Sequence, residues 1–267
     1  MTVIPAVVPP LPRRSRFKRD IPVTAAFHWL AAGWRDLRSK PLASLAYGFV
    51  VFLVSAAIVF GLFVFGWDYI LFPALAGFLV VGPILAIGLY EKSRRIAAGE
   101  PVTFARMVFV RPSSGSQILI TGLVLCLLML VWVRAAVIIY ALFFGLRPFP
   151  GLAHIAPMLF TTALGWSMLA IGSGVGALFA AFSFAISAFA IPRLLAEPVD
   201  ALTAMGTSLA LVWHNLPVML VWGAIVLVLF VASLASGLVG LIVAFPVLGH
   251  GTWHAYRAFC QQPLTGP

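Results

Sequence analysis

Two histidines, His250 and His254, lie four residues apart near the C-terminal end of the chain, within the stretch FPVLGHGTWHAYRAF. On an α-helix, side chains at positions i and i+4 project from the same face, so both imidazoles could bind one metal ion or haem. Such a centre needs further ligands, and the carboxylates of Glu197 and Asp200 are the nearest candidates. This pattern therefore offers His250 and His254 as metal ligands, as one of two interpretations.

The other interpretation places the same stretch where a helix leaves a lipid bilayer. Aromatic and basic side chains are enriched at the membrane–water boundary, where rings meet the headgroups and cations reach water. Such an arrangement needs no cofactor, and we expect none. The predicted membrane-interface residues are Trp29, Trp34, Trp253, Tyr256 and Arg257.

Motifs of soluble enzymes do not occur in a suitable context. The sequence contains no dinucleotide-binding GxGxxG turn, phosphate-binding loop, GxSxG elbow or carboxylate pair placed for catalysis. No Asp, Glu, Lys or His is expected near the middle of an apolar segment, where proton relays and ion-coupled transporters generally place ionisable groups. We therefore expect a protein that is not an enzyme.

The composition indicates which environment surrounds the folded chain. Of its 267 residues, 63% are hydrophobic and only 9% are charged, whereas soluble domains have about 25% charged residues. A soluble fold with so little polar material could not cover its surface, but a lipid bilayer accepts apolar helices of about 20 residues. The sequence therefore predicts an all-α, polytopic transmembrane helical bundle.

The apolar segments predict about six spans, arranged in three hairpins. Amphipathic surface helices are expected after Thr24, after Thr103 and over 199–214, so that one surface helix precedes each hairpin. We predict a Pro-rich, basic, disordered tail over 1–22, a single transmembrane domain over 23–260 and a short C-terminal tail over 261–267. The predicted spans are 42–65, 70–90, 117–142, 166–191, 216–234 and 237–257.

The positive charges predict the orientation. On this assignment, 15 of the 17 Lys and Arg residues lie on one side, next to the ends of apolar segments. Cytoplasmic loops carry an excess of these residues, so both termini and the surface helices are expected in the cytoplasm. Basic residues next to apolar helices also indicate contact with anionic lipid, and we expect no binding of nucleic acid.

Four segments carry a resemblance to a known family. They are GPILAIGLYEKSRRIAAGEP at 82–101, IPRLLAEPVDALTAMGTS at 191–208, HNLPVMLVWG at 214–223 and PVLGHGTWHAYR at 246–257. Over roughly residues 20–260 the chain resembles the DUF2189 family of bacterial integral membrane proteins of unknown function. The resemblance implies a multi-span helical protein of the bacterial inner (plasma) membrane, and it implies no established activity or site.

Three functions agree with these features. The charge-free spans and the surface helices favour an accessory protein, scaffold or assembly factor that packs against lipids, other membrane proteins or a second copy of itself. The proposed repeat of surface helix and hairpin also suits a transporter or channel for a small apolar or weakly polar solute. The third alternative is a metal- or haem-binding membrane protein that uses His250 and His254.

Overall fold

Helices supply all of the regular structure in residues 17–145 and 150–260, the parts of the chain that the computed structural model describes. The two predicted terminal segments lie mostly outside these ranges, at 1–16 and 261–267. The helices are α1 Ala25–Arg38, α2 Pro41–Val64, α3 Leu71–Leu85, α4 Ile87–Ala97, α5 Phe104–Val108, α6 Gly115–Phe144, α7 Leu152–Thr161, α8 Ala163–Ser187, α9 Ala190–Ala196, α10 Ala201–His214, α11 Leu216–Ala235 and α12 Leu241–Cys260.

Five helical segments are long and apolar enough to cross a membrane. They correspond closely to the first five predicted spans, because uninterrupted apolar sequence and helix length coincide there. The segments are Pro41–Val64, Asp68–Ala97, Gly115–Phe144, Ala163–Ala196 and Leu216–Ala235. The second joins α3 to α4, and the fourth joins α8 to α9.

The predicted sixth span forms α12, but this helix is not among the five apolar segments. Its second half carries His250, His254 and Arg257, and these polar residues lower its hydropathy below that of a simple lipid-exposed span. Eleven of its 20 residues are buried, and it packs against α1, α2, α4 and α11. The count of six spans is therefore not confirmed, and more than half of α12 is buried against other helices of the protein.

The α3–α4 segment breaks at Ala86, where α3 ends. Pro83 lies inside the last turn of α3, and a proline removes one backbone N–H and crowds the preceding turn. A break of this kind releases carbonyl groups from the helix. The hydroxyl of Tyr47 in α2 donates to the carbonyl of Leu85 over 2.8 Å, which satisfies one of them.

Close backbone contacts attach α12 to the N-terminal helices. A Cβ atom at Gly33 of α1 would overlap the carbonyl oxygen of Val247 and would lie 2.7 Å from the nitrogen of Gly251. A Cβ atom at Gly48 of α2 would overlap the carbonyl of Ile242. Small residues let membrane helices approach at backbone distance, so these glycines set the packing of α1 and α2 on α12.

The first described residues are also held by the C-terminal part of the protein. The backbone N–H of Arg19 donates to Oδ1 of Asn215 over 2.8 Å, and Nδ2 of Asn215 donates to the carbonyl of Phe17 over 2.9 Å. These contacts lie inside the predicted tail over 1–22, and that boundary stays a prediction. Periodicity gave no signal for these contacts, since they join residues almost 200 positions apart.

The spans themselves bury little of their surface inside the chain. Only 11% of the most apolar stretch of α2 is buried, and the fraction is 17% in α6 and 28% in α11. The spans therefore leave most of their surface exposed, whereas α12 is more than half buried against α1, α2 and α4.

Candidate functional site

His250 is the centre of a buried polar cluster. Its side chain is fully enclosed, with Nε2 2.9 Å from Oγ of Ser44 in α2 and Nδ1 2.8 Å from Oγ of Ser93 in α4. Nδ1 also lies 3.1 Å from the carbonyl of Leu89. Because a carbonyl oxygen only accepts, we assign the proton of the neutral ring to Nδ1, which leaves Nε2 as the acceptor.

Lys92 adds a buried positive charge beside this histidine. It is fully enclosed, and its Nζ donates to Oγ of Ser44 over 2.7 Å and to the carbonyl of Lys40 over 3.1 Å. With Ser44 accepting from Lys92, the serine proton is available for Nε2 of His250. The buried ammonium thus has hydrogen-bond partners, as a buried polar group requires. Both acceptors, the hydroxyl of Ser44 and the carbonyl of Lys40, carry no formal charge.

Asp36 supplies the negative charge of the cluster. Its Oδ2 lies 2.8 Å from Nε2 of His254, and only 7% of the residue is exposed. Burial tends to raise the pKa of this carboxyl, but hydrogen bonds from His254 and Ser93 outweigh burial and lower the pKa below its ordinary value. The carboxylate is therefore ionised at neutral pH, and its charge also acts favourably on Lys92.

Taken together, these contacts form one directed chain of hydrogen bonds. The donors run from the Lys92 ammonium to Ser44, from Ser44 to Nε2 of His250, and from Nδ1 of His250 to Ser93 and the Leu89 carbonyl. Chains with consistent direction polarise one another and fix the orientation of each member. We call this set the polar cluster; its members are Asp36, Ser44, Lys92, Ser93, His250 and His254.

The polar cluster holds the ends of helices together and faces neither of the two cavities described below. It joins α1, α2, α4 and α12, four elements from the two ends of the sequence. Sequence reasoning placed Lys92 and Ser93 in a water-exposed basic segment after a span and gave no role to Ser44. Ser44 and Ser93 have no sequence signal of their own, because serine is common in helices of every kind.

The structure gives different contacts to the four residues of the metal hypothesis. Both ring nitrogens of His250 lie beside serine hydroxyls, and His254 pairs with Asp36. Glu197 accepts from the hydroxyl of Tyr256 over 2.8 Å, while Asp200 caps α10. Among the described residues, no group of three or more His, Cys, Asp or Glu side chains is placed to hold a metal ion. The metal or haem hypothesis thus gains no further ligand.

The predicted interface residues divide into two groups. Trp29, Trp253 and Tyr256 are buried in the protein, each at most 5% exposed. Their rings pack in a core inside the protein, and their assignment to the membrane interface stays a prediction. Trp34 is 45% exposed and Arg257 is partly exposed, as a boundary residue can be.

An aromatic layer next to the polar cluster explains this burial. The rings of Trp29 and Trp222 meet edge to face with centroids 5.9 Å apart, and Trp29 also contacts Phe259 at 5.7 Å. Trp253 packs against Tyr256 at 5.3 Å. Aromatic pairs in such offset arrangements add to the stability supplied by burial.

A second feature is a long apolar groove between α2 and α3, with a volume of about 460 Å³. Side chains of α6 and α11 and the beginning of α12 form its floor, and α5 closes the end near the start of α2. Tyr47 and Ser55 are its two polar lining residues. Residues that define this apolar groove are Tyr47, Val54, Ile58, Leu62, Leu71, Ala74, Phe78, Leu85, Phe104, Val108, Met129, Phe230 and Leu241.

A smaller cavity of about 90 Å³ lies between α3, α8, α11 and α12. It shares Phe78, Phe230 and Leu241 with the apolar groove, so the two are separated by the rings of Phe78 and Phe230. These rings stack with centroids 5.5 Å apart. The polar residues Ser233 and Thr252 line the smaller cavity, but their hydroxyls already bond to carbonyls within their own helices.

Comparison with known proteins gives one match. Residues 71–196, from α3 to α9, match the model of a family described as predicted integral membrane protein, DUF2189. The segments of the resemblance at 214–223 and 246–257 lie outside the matched residues, so for them the resemblance stays a prediction. No curated protein and no solved structure matches the chain. With its five apolar helices and a DUF2189 match over 71–196, the chain is an integral membrane protein that resembles this family in its central part.

Proposed function

We propose that the protein is a non-enzymatic accessory or scaffold protein of the bacterial inner membrane. It acts by packing its spanning helices against lipids and against other membrane proteins or a second copy of itself. The observation that carries the proposal is the low burial of these helices within the chain, from 11% in α2 to 44% in the α8–α9 segment. A bundle that uses so little of its helical surface internally leaves that surface for neighbours.

The proposal includes an orientation with six crossings and both termini in the cytoplasm. The turn after α11 sends α12 back along α11, and the end of α12 lies beside Glu197, just after α9. The ends of α4 and α9 and the start of α2 carry the basic residues expected in the cytoplasm. In this arrangement α12 is a protein-enclosed crossing, which explains why it tolerates polar residues.

The apolar groove limits the transporter alternative. A transported solute would have to be apolar, because only Tyr47 and Ser55 offer polar groups along the lining and Tyr47 already donates to Leu85. No Asp, Glu, Lys, Arg or His side chain is among the described residues that line either cavity. The groove therefore supports binding of an apolar molecule better than passage of a polar one.

Site-specific photocrosslinking in cells tests the scaffold proposal. A photoreactive residue replaces one of three exposed leucines on different helices, Leu130, Leu178 or Leu227, and buried Leu125 is the matched control. We expect one face to give adducts with the same membrane protein, or with a second copy, in repeated preparations, while Leu125 gives no intermolecular adduct. Adducts with lipid alone at all three exposed positions would contradict a scaffold role.

A further inference from the structure

We propose that the apolar groove is a binding site for one acyl chain of an anionic phospholipid, whose phosphate lies at the cytoplasmic end beside Lys40. This inference deepens the proposed function, since it names a lipid that the protein holds. It stands on the shape of the groove, on its lining and on the charge at one end.

The dimensions of the groove fit a single extended hydrocarbon chain. Tyr47 and Leu62 mark its two ends on α2, and 15 residues at 1.5 Å each separate them by about 22 Å. A volume of about 460 Å³ over this length corresponds to a mean cross-section of roughly 20 Å². An α-helix with its side chains is about 10 Å wide and needs roughly 80 Å². The groove is therefore too narrow for a helix of a partner protein.

The lining demands an apolar occupant along most of this length. Val54 and Ile58 lie one turn apart on α2 and face Leu71 and Phe78 of the α3 side, with Met129 of α6 on the floor. Methionine is flexible and polarisable, so it adapts to a chain of variable conformation. A lipid tail bound here contacts protein side chains instead of other lipids. The side chains of α2 and α3 on its two sides hold it along the groove.

The cytoplasmic end of the groove carries the positive charge. Lys40 lies directly before α2 and is exposed, and its Nζ reaches the carbonyl of Val102 over 3.4 Å, two residues before Phe104 of the groove. The buried ammonium of Lys92 contacts the carbonyl of Lys40 and adds to the positive potential. The carboxylates of this region are already paired: Asp36 with His254, Glu91 with Arg94 and Glu100 with Arg95. A phosphate beside Lys40 completes this arrangement of charges.

The length of the groove places the two ends of the lipid at consistent depths. A hydrocarbon core is about 30 Å thick, so a groove of about 22 Å that starts near the cytoplasmic ends of α2 and α4 reaches beyond the midplane. Phe104 and Val108 of α5 cover the region between the headgroup and the tail. The short helix α5 therefore acts as the boundary between the apolar and the charged part of the site.

Native mass spectrometry of the purified protein tests the site. The probes are dioleoyl phosphatidylglycerol, which is anionic, and dioleoyl phosphatidylcholine, which is zwitterionic. Val54→Trp and Ala74→Phe fill the groove, Lys40→Gln removes the charge, and Leu178→Trp adds an equal ring to an exposed position on α8 outside the lining. Val54 is itself half exposed, so the ring can be accommodated without loss of the fold.

We expect the wild-type protein and Leu178→Trp to retain one phosphatidylglycerol, and both groove-filling variants to lose it. Lys40→Gln should weaken phosphatidylglycerol binding by about fivefold relative to phosphatidylcholine, as the loss of about 1 kcal/mol of attraction per Lys near a charged headgroup predicts. Equal retention in wild type and Val54→Trp would overturn the inference. A dimer that forms only when the groove is free of lipid would assign the groove to a second copy instead.

A photoactivatable acyl chain gives an independent readout. Crosslinks should map to peptides of α2 and α3 in the wild type and should disappear in Val54→Trp but not in Leu178→Trp. These measurements use the purified chain alone, so a negative result removes the lipid site and leaves the scaffold proposal to its own test at Leu130, Leu178 and Leu227. If the protein adducts are lost while phosphatidylglycerol is retained, the lipid site stands and the scaffold proposal fails.

Discussion

His254 of α12 and Asp36 of α1 form a hydrogen bond of 2.8 Å between Nε2 and Oδ2, across 218 positions of sequence. The pair joins the first described helix to the last one. Ser93 of α4 helps to lower the pKa of the same carboxyl, so a third element acts on this side chain. The polar cluster is therefore a point where the two ends of the chain hold each other in place.

The first prediction concerns the pH dependence of stability. The pKa of Asp36 lies below its ordinary value of 3.8 in the folded protein. A lowered folded pKa stabilises the fold fully above the unfolded pKa, and the contribution is lost as the pH falls through the folded pKa. Asp36→Asn should therefore reduce the free energy of unfolding by about 1–3 kcal/mol above about pH 5, and this difference should shrink toward pH 3.

Thermal unfolding in detergent between pH 3 and pH 7 measures this effect. Asp200→Ser is a suitable control, because Asp200 is exposed, lies at the N-terminus of α10, and serine keeps a capping oxygen. The pKa of Asp200 is also lowered, by its hydrogen bond with Thr203, so the gap between this variant and the wild type should also shrink toward pH 3. Because Asp200 is exposed, that gap should be smaller than the gap for Asp36→Asn at every pH. A constant gap between Asp36→Asn and the wild type down to pH 3 would contradict the ionised pair.

The second prediction is that Ser44 and Lys92 are energetically coupled. Ser44→Ala and Lys92→Met remove the two sides of a 2.7 Å hydrogen bond in a buried site. The double variant should lose less stability than the sum of the single variants, by about 0.5–3 kcal/mol, since residues in one network are not additive.

Unfolding by denaturant in mixed micelles gives the four free energies of this cycle. The control cycle combines Ser44→Ala with Ser233→Ala, since Ser233 is equally buried but bonds within α11. That pair should be additive within about 0.5 kcal/mol. Additivity in both cycles would show that the directed chain through Ser44 has no energetic meaning.

The third prediction concerns the glycines that contact α12. Gly48→Ala places a methyl group against the carbonyl of Ile242 and 2.9 Å from Cγ of Pro246, so it should cost about 1–3 kcal/mol of stability. Gly172→Ala in α8 meets no atom within 4 Å and should leave stability unchanged or raise it by about 0.5–1 kcal/mol. Thermal unfolding of both variants compares them, and equal effects would argue against close packing of α2 on α12.

The fourth prediction is the location of the two termini. Green fluorescent protein fused at either end should fluoresce, because both ends are expected in the cytoplasm. Alkaline phosphatase inserted at Gly66, in the turn between α2 and α3, should be active on the opposite side of the membrane. An inactive C-terminal fluorescent fusion, with an active phosphatase at the same position, would indicate five crossings instead of six.

The fifth prediction concerns the two histidines that first suggested a metal centre. Elemental analysis and a visible spectrum of the wild type should match those of His250→Ala/His254→Ala, because Ser44 and Ser93 occupy both ring nitrogens of His250 and Asp36 occupies Nε2 of His254. The double variant should instead unfold at a lower temperature. A metal or haem signal that the double variant loses would replace this interpretation with a cofactor site.

Long apolar segments made the spans predictable from the sequence. Pro41 and the Gly66 turn mark the ends of α2, and the break at Thr162 separates α7 from α8 inside an apolar stretch too long for one upright helix. These features are local, since each depends on composition and on residues within one or two turns. The number of helical residues needed to cross the bilayer then determines the approximate length of each span.

The polar cluster could not be predicted in the same way. Lys92 belongs to the charged stretch EKSRR, which suits a solvated helix end, and its burial depends on Ser44 and on the backbone of Lys40 about 50 positions earlier. His250 finds its partners at distances of 157 and 206 positions. Periodicity describes one helix at a time, so it cannot report which helices meet.

The packing of α12 between α1, α2 and α4 also affects how the protein is made. Ser44 precedes its partner His250 by 206 positions, and a ribosome that adds about 5–20 residues per second needs roughly 10–40 s to produce that interval. During this time α2 is already inserted, with its serine and the open surface at Gly48 still unmatched. The helices that pack on α12 are thus synthesised before α12 itself. A nascent chain that stops before α12 exposes Ser44 and the surface at Gly48 to the insertion and proteolysis machinery of the cell.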